Sequence, residues 1–508
     1  MELYQVNDSR VSRRCFVGGV LGFAAFGSRV AFSAAPGTCC GGSPNLVFGV
    51  LSDIHVCLAK GGRKLKKNYD TKHLEKAFAY FRDNGADAVV IAGDMAHSGL
   101  VGELQAVADA WNRVFPGDKA PDGRSVTRVF VFGNHDWSSP GRAKDVFPDE
   151  AERQANYLSA DPAKHWEAIF HEPWTPFFVR TVKGYDFVGC HWTNGGCNGK
   201  KEVFTRGMSA FYASIEGKLP SDRPFFHIQH PHPRGTVHGE VWGQDDGESV
   251  KILSKHPNAI AFSGHSHSSL VDARSVWQGA FTSVGTATLR DANAGVASGL
   301  PSGFENGRTP RDRRELDALK VMPEIDRFDL KQAQLVRVYD DRVVIARRDF
   351  VADLPLTDDI VIPLPVAEPK PYAVEPRRAR AKPPRFPEGA ALTIAEVQAR
   401  RRGAKKKEAA KPSLEITIPP ATAEATAVCA QYRVTATGAD GQPLVVAVMS
   451  PAILHAKSDA RVAKPTKCRI ALDRLPAGDV KIEVRAVSCW DKTSAALTGT
   501  WSRRGAHL

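Results

Sequence analysis

Five apolar runs in this chain break off into the same kinds of residue. "NLVFGVLSDIH" (45–55) ends in Asp53 and His55, and "ADAVVIAGDM" (86–95) reaches Gly93 and Asp94. "TRVFVFGNHD" (127–136) ends in Gly133, Asn134, His135 and Asp136, "PFFHIQHPHP" (224–233) offers His230 and His232, and "AIAFSGHSH" (259–267) ends in Gly264, His265 and His267. A short apolar run closed by glycine reads as a buried strand leaving its sheet. Between the first two runs lies "DTKHLEKAFAYFRDNG" (70–85), with Leu74, Phe78 and Phe81 at helical spacing, and "GELQAVADAWNRVF" (102–115) predicts a second helix. Strand, helix, strand, helix, strand predicts an α/β sheet, in which ligands gather beyond the carboxyl ends of the strands.

Taken singly, each cluster has an ordinary reading. An aspartate after a strand is often a helix cap, Gly-Asn is often a turn, and two loop histidines can simply sit at the surface. Taken together they deliver carboxylate, amide and imidazole donors to one rim. Those are the oxygen and nitrogen ligands of divalent transition metals. There are enough for two ions with one carboxylate to bridge.

The order D-x-H, G-D, G-N-H-D, H, G-H-x-H resembles that of the calcineurin-like metallophosphoesterases, over residues 45–350. The resemblance implies a four-layer α/β/β/α sandwich and a two-metal phosphoester hydrolase that uses a metal-activated hydroxide. Carried over position by position, it implies Asp53, His55 and His267 on the first ion, Asn134, His230 and His265 on the second, and Asp94 bridging. In "QHPHP" the family ligand comes as the strand ends, which favours His230 over His232. His135 would face the leaving group or the phosphoryl group, oriented by Asp136. The two ions neutralise an anionic ester and clamp the attacking and leaving oxygens. The purple acid phosphatase branch carries Tyr three residues after the bridging Asp and lacks the His of D-x-H. Here those places hold His97 and His55, so Mn²⁺, Fe²⁺ or Zn²⁺ is expected rather than ferric iron. The role of His97 stays open between supporting the site and the surface. "YDFVGCHW" (185–192) is a further strand whose His191 reads as a hydrogen-bonded structural histidine, the alternative being a place in the substrate cleft.

At 508 residues the chain is too long for one compact domain. Its net charge is +12, but residues 366–412 hold 13 Lys/Arg against 5 Asp/Glu, which is +8 of that total. The basicity therefore belongs mainly to a connecting region that includes "RRRGAKKK" (400–407), a solvated loop with at most weak contact to anionic surfaces. A stable nucleic-acid partner is not expected; the partner is a phosphate ester substrate.

"SRRCF" (12–16) sets twin arginines before an apolar run, Val17 to Gly27, too short to span a bilayer. This resembles a twin-arginine export signal over residues 1–35, implying a periplasmic or secreted protein with no membrane span once the signal is removed. An uncleaved anchor is the alternative. No cysteines are spaced as a zinc ribbon, and disulfide pairing is not fixed by the spacing.

The catalytic domain is expected over 44–352 and an extended Pro-rich linker over 353–383, from "IPLPVAEPKP" (362–371). From 384 to 508, short alternating segments at 391–397, 414–421, 431–438, 468–488 and 497–501 predict a small all-β sandwich with a basic loop at 399–412. The run "LDRLPAGDVKIEVRAV" resembles the strand–turn–strand of fibronectin type III domains.

Overall fold

The first apolar run becomes β1 (Leu46–Leu51), buried along its whole length because both of its faces are covered. Leu46, Phe48 and Val50 face one core, and Val47 and Leu51 face another. This computed structural model describes residues 42–508 except 138–142, 194–206, 239–242, 292–319, 322–329, 400–408 and 503–508. The expected alternation continues through α1 (Lys72–Asp83), β2 (Ala88–Ala92), α2 (Val101–Val114) and β3 (Thr127–Val131). β1, β2 and β3 pair in parallel. Leu74, Ala77, Phe78 and Phe81 form the buried stripe of α1. Gly49 in β1 is required by that packing, since a Cβ there would run into the Phe81 ring.

After the short helices α3 (Asn134–Trp137), α4 (Glu150–Ala155) and α5 (Pro162–Phe170), a second sheet is built from β4 (Phe177–Val182), β5 (Tyr185–Cys190), β6 (Phe225–Ile228), β7 (Ala259–Ser263), β8 (Val276–Gln278) and β9 (Thr282–Gly285). Its order is β4-β5-β6-β7-β9-β8, with β5, β6, β7 and β9 parallel. α6 (Met208–Ile215) and α7 (Glu248–Leu253) join β5 to β6 and β6 to β7.

The chain then passes β10 (Lys320–Val321) and returns to the first sheet through β11 (Gln332–Val338), β12 (Arg342–Asp349), β13 (Leu354–Pro355) and β14 (Ile360–Pro363). The order there is β13-β12-β11-β1-β2-β3, with β14 also pairing β12. Side chains of both sheets meet in one core containing Phe48, Val90, Val131, Phe187, Phe226, Phe262 and Ile345. α1, α2 and α5 cover the outer face of the first sheet, and α6 and α7 that of the second. The layers are α/β/β/α. All strands of the predicted set point their carboxyl ends at one rim.

The segment 353–383, expected as an extended linker, is instead docked. Ile360 and Ile362 are buried as β14 pairs with β12. In α8 (Val374–Arg380), the Arg377 guanidinium donates to the carbonyls of Ala273 (2.5 Å) and Val276 (2.7 Å). Flanking prolines disguised this strand, yet proline is tolerated at a sheet edge.

The remaining strands are β15 (Thr393–Ala399), β16 (Lys411–Ile418), β17 (Cys429–Thr437), β18 (Pro443–Met449), β19 (Thr466–Ala471), β20 (Asp479–Ser488) and β21 (Leu497–Ser502). They form sheets ordered β10-β18-β17-β20-β21 and β15-β16-β19 around Leu414, Ile416, Tyr432, Val434, Val446 and Val484. β18 was not among the expected segments. Its run "PLVVAVM" is apolar without clear alternation.

The described residues from Pro44 onward pack as one compact unit. Among them no helix is long and apolar enough to cross a membrane, and Cys57, Cys190, Cys429, Cys468 and Cys489 are buried thiols. The export-signal segment and most of the basic loop lie outside the described residues.

Candidate metal centre

Each predicted donor sits where a strand gives way to a loop. The backbone there is bent sharply. Asp53, His55, Asp94, His265 and His267 all have positive φ, between 51° and 70°. Non-glycine residues adopt that region at a cost of about 1–3 kcal/mol each, and such strain concentrates at functional sites. Gly93, Gly133 and Gly264 supply room. A Cβ on them would collide with the His230 ring, the Asp94 carboxylate and the Asp53 carboxylate, respectively. The loops after β1 and β2 are knitted together, with Asp53 N donating to Gly93 O (3.0 Å) and His55 N to Asp94 O (2.9 Å).

The result brings two donor groups together. Asp53, His55, Asp94 and His267 form one, and Asp94, His230 and His265 the other. Each aspartate splits its oxygens. Asp53 Oδ2 accepts from Ser52 Oγ (2.5 Å) and His265 N (3.0 Å), while its Oδ1 has no hydrogen-bond partner and faces His267 Nε2 at 3.0 Å. Asp94 Oδ1 accepts from His135 N (2.8 Å), while Oδ2 lies 3.5 Å from His55 Nε2 and 3.2 Å from His230 Nε2. His55 Nε2 and His267 Nε2 are 3.1 Å apart, as are His265 Nδ1 and His230 Nε2. Asn134, buried at the start of α3, precedes His135 in the same rim.

The tautomers show what belongs between these atoms. His230 Nδ1 donates to Ala92 O (2.7 Å) and His267 Nδ1 to Asp291 O (2.8 Å), because a carbonyl can only accept. In the neutral rings, Nε2 then carries a lone pair aimed at a carboxylate oxygen. Acceptor facing acceptor in a buried site calls for a cation. Ligand atoms about 3 Å apart suit an ion held at about 2.0–2.2 Å by nitrogen and oxygen. The residues therefore fit two divalent ions, and the carbonyls of Ala92 and Asp291 fix ring orientation in the manner common at metal sites.

The electrostatics register the same demand for positive charge, because the carboxylates draw protons onto the rings. Burial opposes ionisation of Asp53 and Asp94, yet the surrounding imidazoles hold both carboxyls below their usual range. Burial would lower His230, but Asp94 and Asp53 outweigh it and push it up to about 9. Burial and His230 push His265 down to about 3.

Asp136 does not orient His135. Its carboxylate is taken by the backbone N–H groups of Ala96 (2.7 Å), Gly133 (2.8 Å) and Met95 (3.3 Å), tying the end of β2 to the end of β3. His135 is held instead by its Nδ1–H to the His97 carbonyl (2.8 Å), with its ring edge-on to His55 at 4.4 Å. His232 is excluded as a donor, because Ser263 Oγ (2.8 Å) and Ser266 Oγ (2.7 Å) take both ring nitrogens. His191 is structural. Its Nδ1 accepts from Phe132 N (3.0 Å), and its ring packs on Phe132, Trp166 and Trp174.

His97 supports the site, its ring beside those of His55 and His135 and its Nδ1 3.4 Å from Arg290 Nη1. Arg290 went unrecognised in the sequence. It stacks on Tyr69 at 4.7 Å and pairs with Asp291 at 2.8 Å, giving the rim a cation beside His97. No local pattern marks it, because only the fold brings the loop after β9 to the loops after β1 and β2.

Fold and site define a binuclear-metal hydrolase class. Residues 46–269 match the family profile of calcineurin-like phosphoesterases, so the chain carries a calcineurin-like phosphoesterase domain over that span and is a metal-dependent phosphoesterase. No curated protein matches this sequence. Among solved structures it is similar to a dimetal phosphatase from Danio rerio (13% identity, 63% of this chain and 99% of that one, TM-score 0.33). It is also similar to GAP50, the anchor in the inner membrane complex of Plasmodium (11%, 65% and 91%, TM-score 0.35). A third is purple acid phosphatase PPD1 of yellow lupin, Lupinus luteus (12%, 63% and 54%, TM-score 0.36).

Proposed function

We propose that this protein is an exported phosphoric ester hydrolase, acting on phosphodiesters or phosphomonoesters at a two-metal centre. Asp53, His55 and His267 hold the first divalent ion, Asn134, His230 and His265 the second, and Asp94 bridges. The observation that carries this reading is the position of Asp94 Oδ2, within 3.5 Å of His55 Nε2 and 3.2 Å of His230 Nε2, so that one oxygen belongs to both donor groups. Two divalent ions of the Mn, Fe or Zn kind there supply charge neutralisation at the phosphoryl group and activation of water. The chain's own residues do the rest. His135 Nδ1–H is committed to the His97 carbonyl, which leaves Nε2 to carry a proton to the leaving oxygen. Arg290, beside His97, adds positive charge at the same edge.

Asp94→Asn is the test, read by metal content and by turnover of p-nitrophenyl phosphate and bis-p-nitrophenyl phosphate. Loss of metal and activity with retained circular dichroism is expected. Two bound ions and near-normal turnover would refute the bridging role.

Export rests on Arg13 and Arg14 before the apolar run. Replacing both by Lys leaves unprocessed protein in the cytoplasm, whereas unchanged export points to another route. The region 384–508 is read as fibronectin type III-like, on its two packed antiparallel sheets and the β19-to-β20 turn.

A further inference from the structure

A second cluster of metal-type donors lies away from the binuclear rim, where the last turn of the first sheet meets the C-terminal β region. Asp349 ends β12, and His455 and Asp459 belong to the loop between β18 and β19. One donor atom from each lies within 4.8 Å of the others, and all three residues are buried. His455 is only 1% exposed, yet neither of its ring nitrogens has a hydrogen-bond partner among the described residues. Its Nδ1 points at Asp349 Oδ2 from 4.0 Å, too far for a hydrogen bond. A buried imidazole with both nitrogens unpartnered forfeits about 1–3 kcal/mol for each unmet group.

The frame around it is built. Asp349 Oδ1 is fixed by the N–H groups of Val351 (2.7 Å) and Ala352 (3.2 Å), which turns Oδ2 toward His455. Gln332, opposite Asp349 in the β11–β12 register, donates Nε2 to the carbonyl of Leu454 (2.8 Å). Ala456 packs with Leu270, Val271, Ala287 and Leu356. His455 is therefore gripped from both sides by contacts that do not use its ring.

One cation is already present. Arg461 forks onto Asp459, with Nη2 at 2.6 Å from Oδ2 and Nε at 3.0 Å from each oxygen, and it reaches Asp349 Oδ2 at 3.4 Å. Its donors are turned onto the two carboxylates, and none reaches either ring nitrogen of His455. At 24% exposure its long side chain has a way out to solvent.

We infer that Asp349, His455 and Asp459 form a third metal site, structural rather than catalytic, that takes a divalent transition ion such as Zn²⁺ and staples the C-terminal β region to the phosphoesterase body. One imidazole nitrogen and two carboxylate oxygens match the ligand preferences of that class. Ligand atoms at about 2.0–2.2 Å from a tetrahedral ion stand about 3.4 Å apart, so donors that lie within 4.8 Å of one another close by up to about 1.4 Å when the ion binds. Arg461 is the stand-in cation when the ion is absent and withdraws from Asp459 when it binds. The inference does not depend on the catalytic reading.

The test uses the full chain, stripped with chelator and titrated with Zn²⁺, with bound zinc counted by elemental mass spectrometry and melting followed in parallel. The wild type should hold one more Zn²⁺ per chain than His455→Phe, and zinc should raise its Tm further. Turnover of p-nitrophenyl phosphate by the variant should be unchanged. Arg461→Gln should bind the additional ion at severalfold lower zinc concentration. Equal zinc content and an equal zinc-dependent Tm rise in the wild type and His455→Phe would overturn the site and leave His455 a buried neutral ring. If His455→Phe does not fold, Asp459→Asn, which conserves volume, is scored by the same two readouts.

Discussion

His135 and Asn134 are neighbours that do different work. Asn134 is buried at the first turn of α3, and the His135 ring swings toward His55 and is anchored through Nδ1 to the His97 carbonyl. His135→Ala should keep both metals, while kcat falls by about 10²–10⁴, the usual worth of a general acid. The loss should shrink for p-nitrophenyl esters, whose leaving group needs little protonation. A metal count that drops with the mutation would make His135 a ligand, and an equal loss for every leaving group would make its role charge stabilisation.

At the scale of elements, the site is a set of strand ends held in register. Asp136 is the clasp between β2 and β3. Burial and the nearby Asp94 push its carboxyl up, but three N–H donors bind the ionised form. Asp136→Ala strands those buried donors at about 1–3 kcal/mol each, so it should lower Tm and metal affinity together, unlike His135→Ala. The expected measurement is a zinc titration beside a melting curve.

Behind β3, His191 is kept neutral by burial and by Arg180, its pKa pushed down to about 3. The unfolded chain takes up its proton near pH 6.5. Below that pH the unfolded state binds more protons than the folded one, and stability falls with pH down to about 3. Unfolding by denaturant at pH 7, 6 and 5 should show the decline. His191→Asn, which can still accept from Phe132 N, should flatten it by up to about 1.4 kcal/mol per pH unit.

Across the whole molecule, the C-terminal sheets are packed onto the phosphoesterase body. Trp490 is 3% exposed, donates Nε1–H to Thr426 O (2.6 Å), and lies 5.1 Å from the Arg377 guanidinium that caps carbonyls of the catalytic body. It also packs with Leu330, which precedes β11. Trp490→Ala should cost about 3–5 kcal/mol. If the two parts unfold as one, the single calorimetric transition moves down. If only the docking weakens, the C-terminal transition separates and the phosphoesterase transition stays near its wild-type temperature.

The sequence by itself determined the five donor-bearing strands, the donors at their carboxyl ends and the α/β class. Those are short-range facts: apolar runs, glycines at bends, and residue types whose chemistry is the same in any fold. It reached Asp53, His55, Asp94, His265 and His267 because each stands within a few residues of its own strand's end. Only the tertiary structure decided between His230 and His232, which are separated by one residue and told apart by two serine hydroxyls from another loop. Only it gave Asp136 to the backbone and His135 to the His97 carbonyl, and only it brought Arg290 to the rim. The docking of 353–383 escaped the sequence because prolines look the same in a tether and at a sheet edge. What a linear reading lacks in each case is the partner, since hydrogen bonds and burial are set by residues distant along the chain.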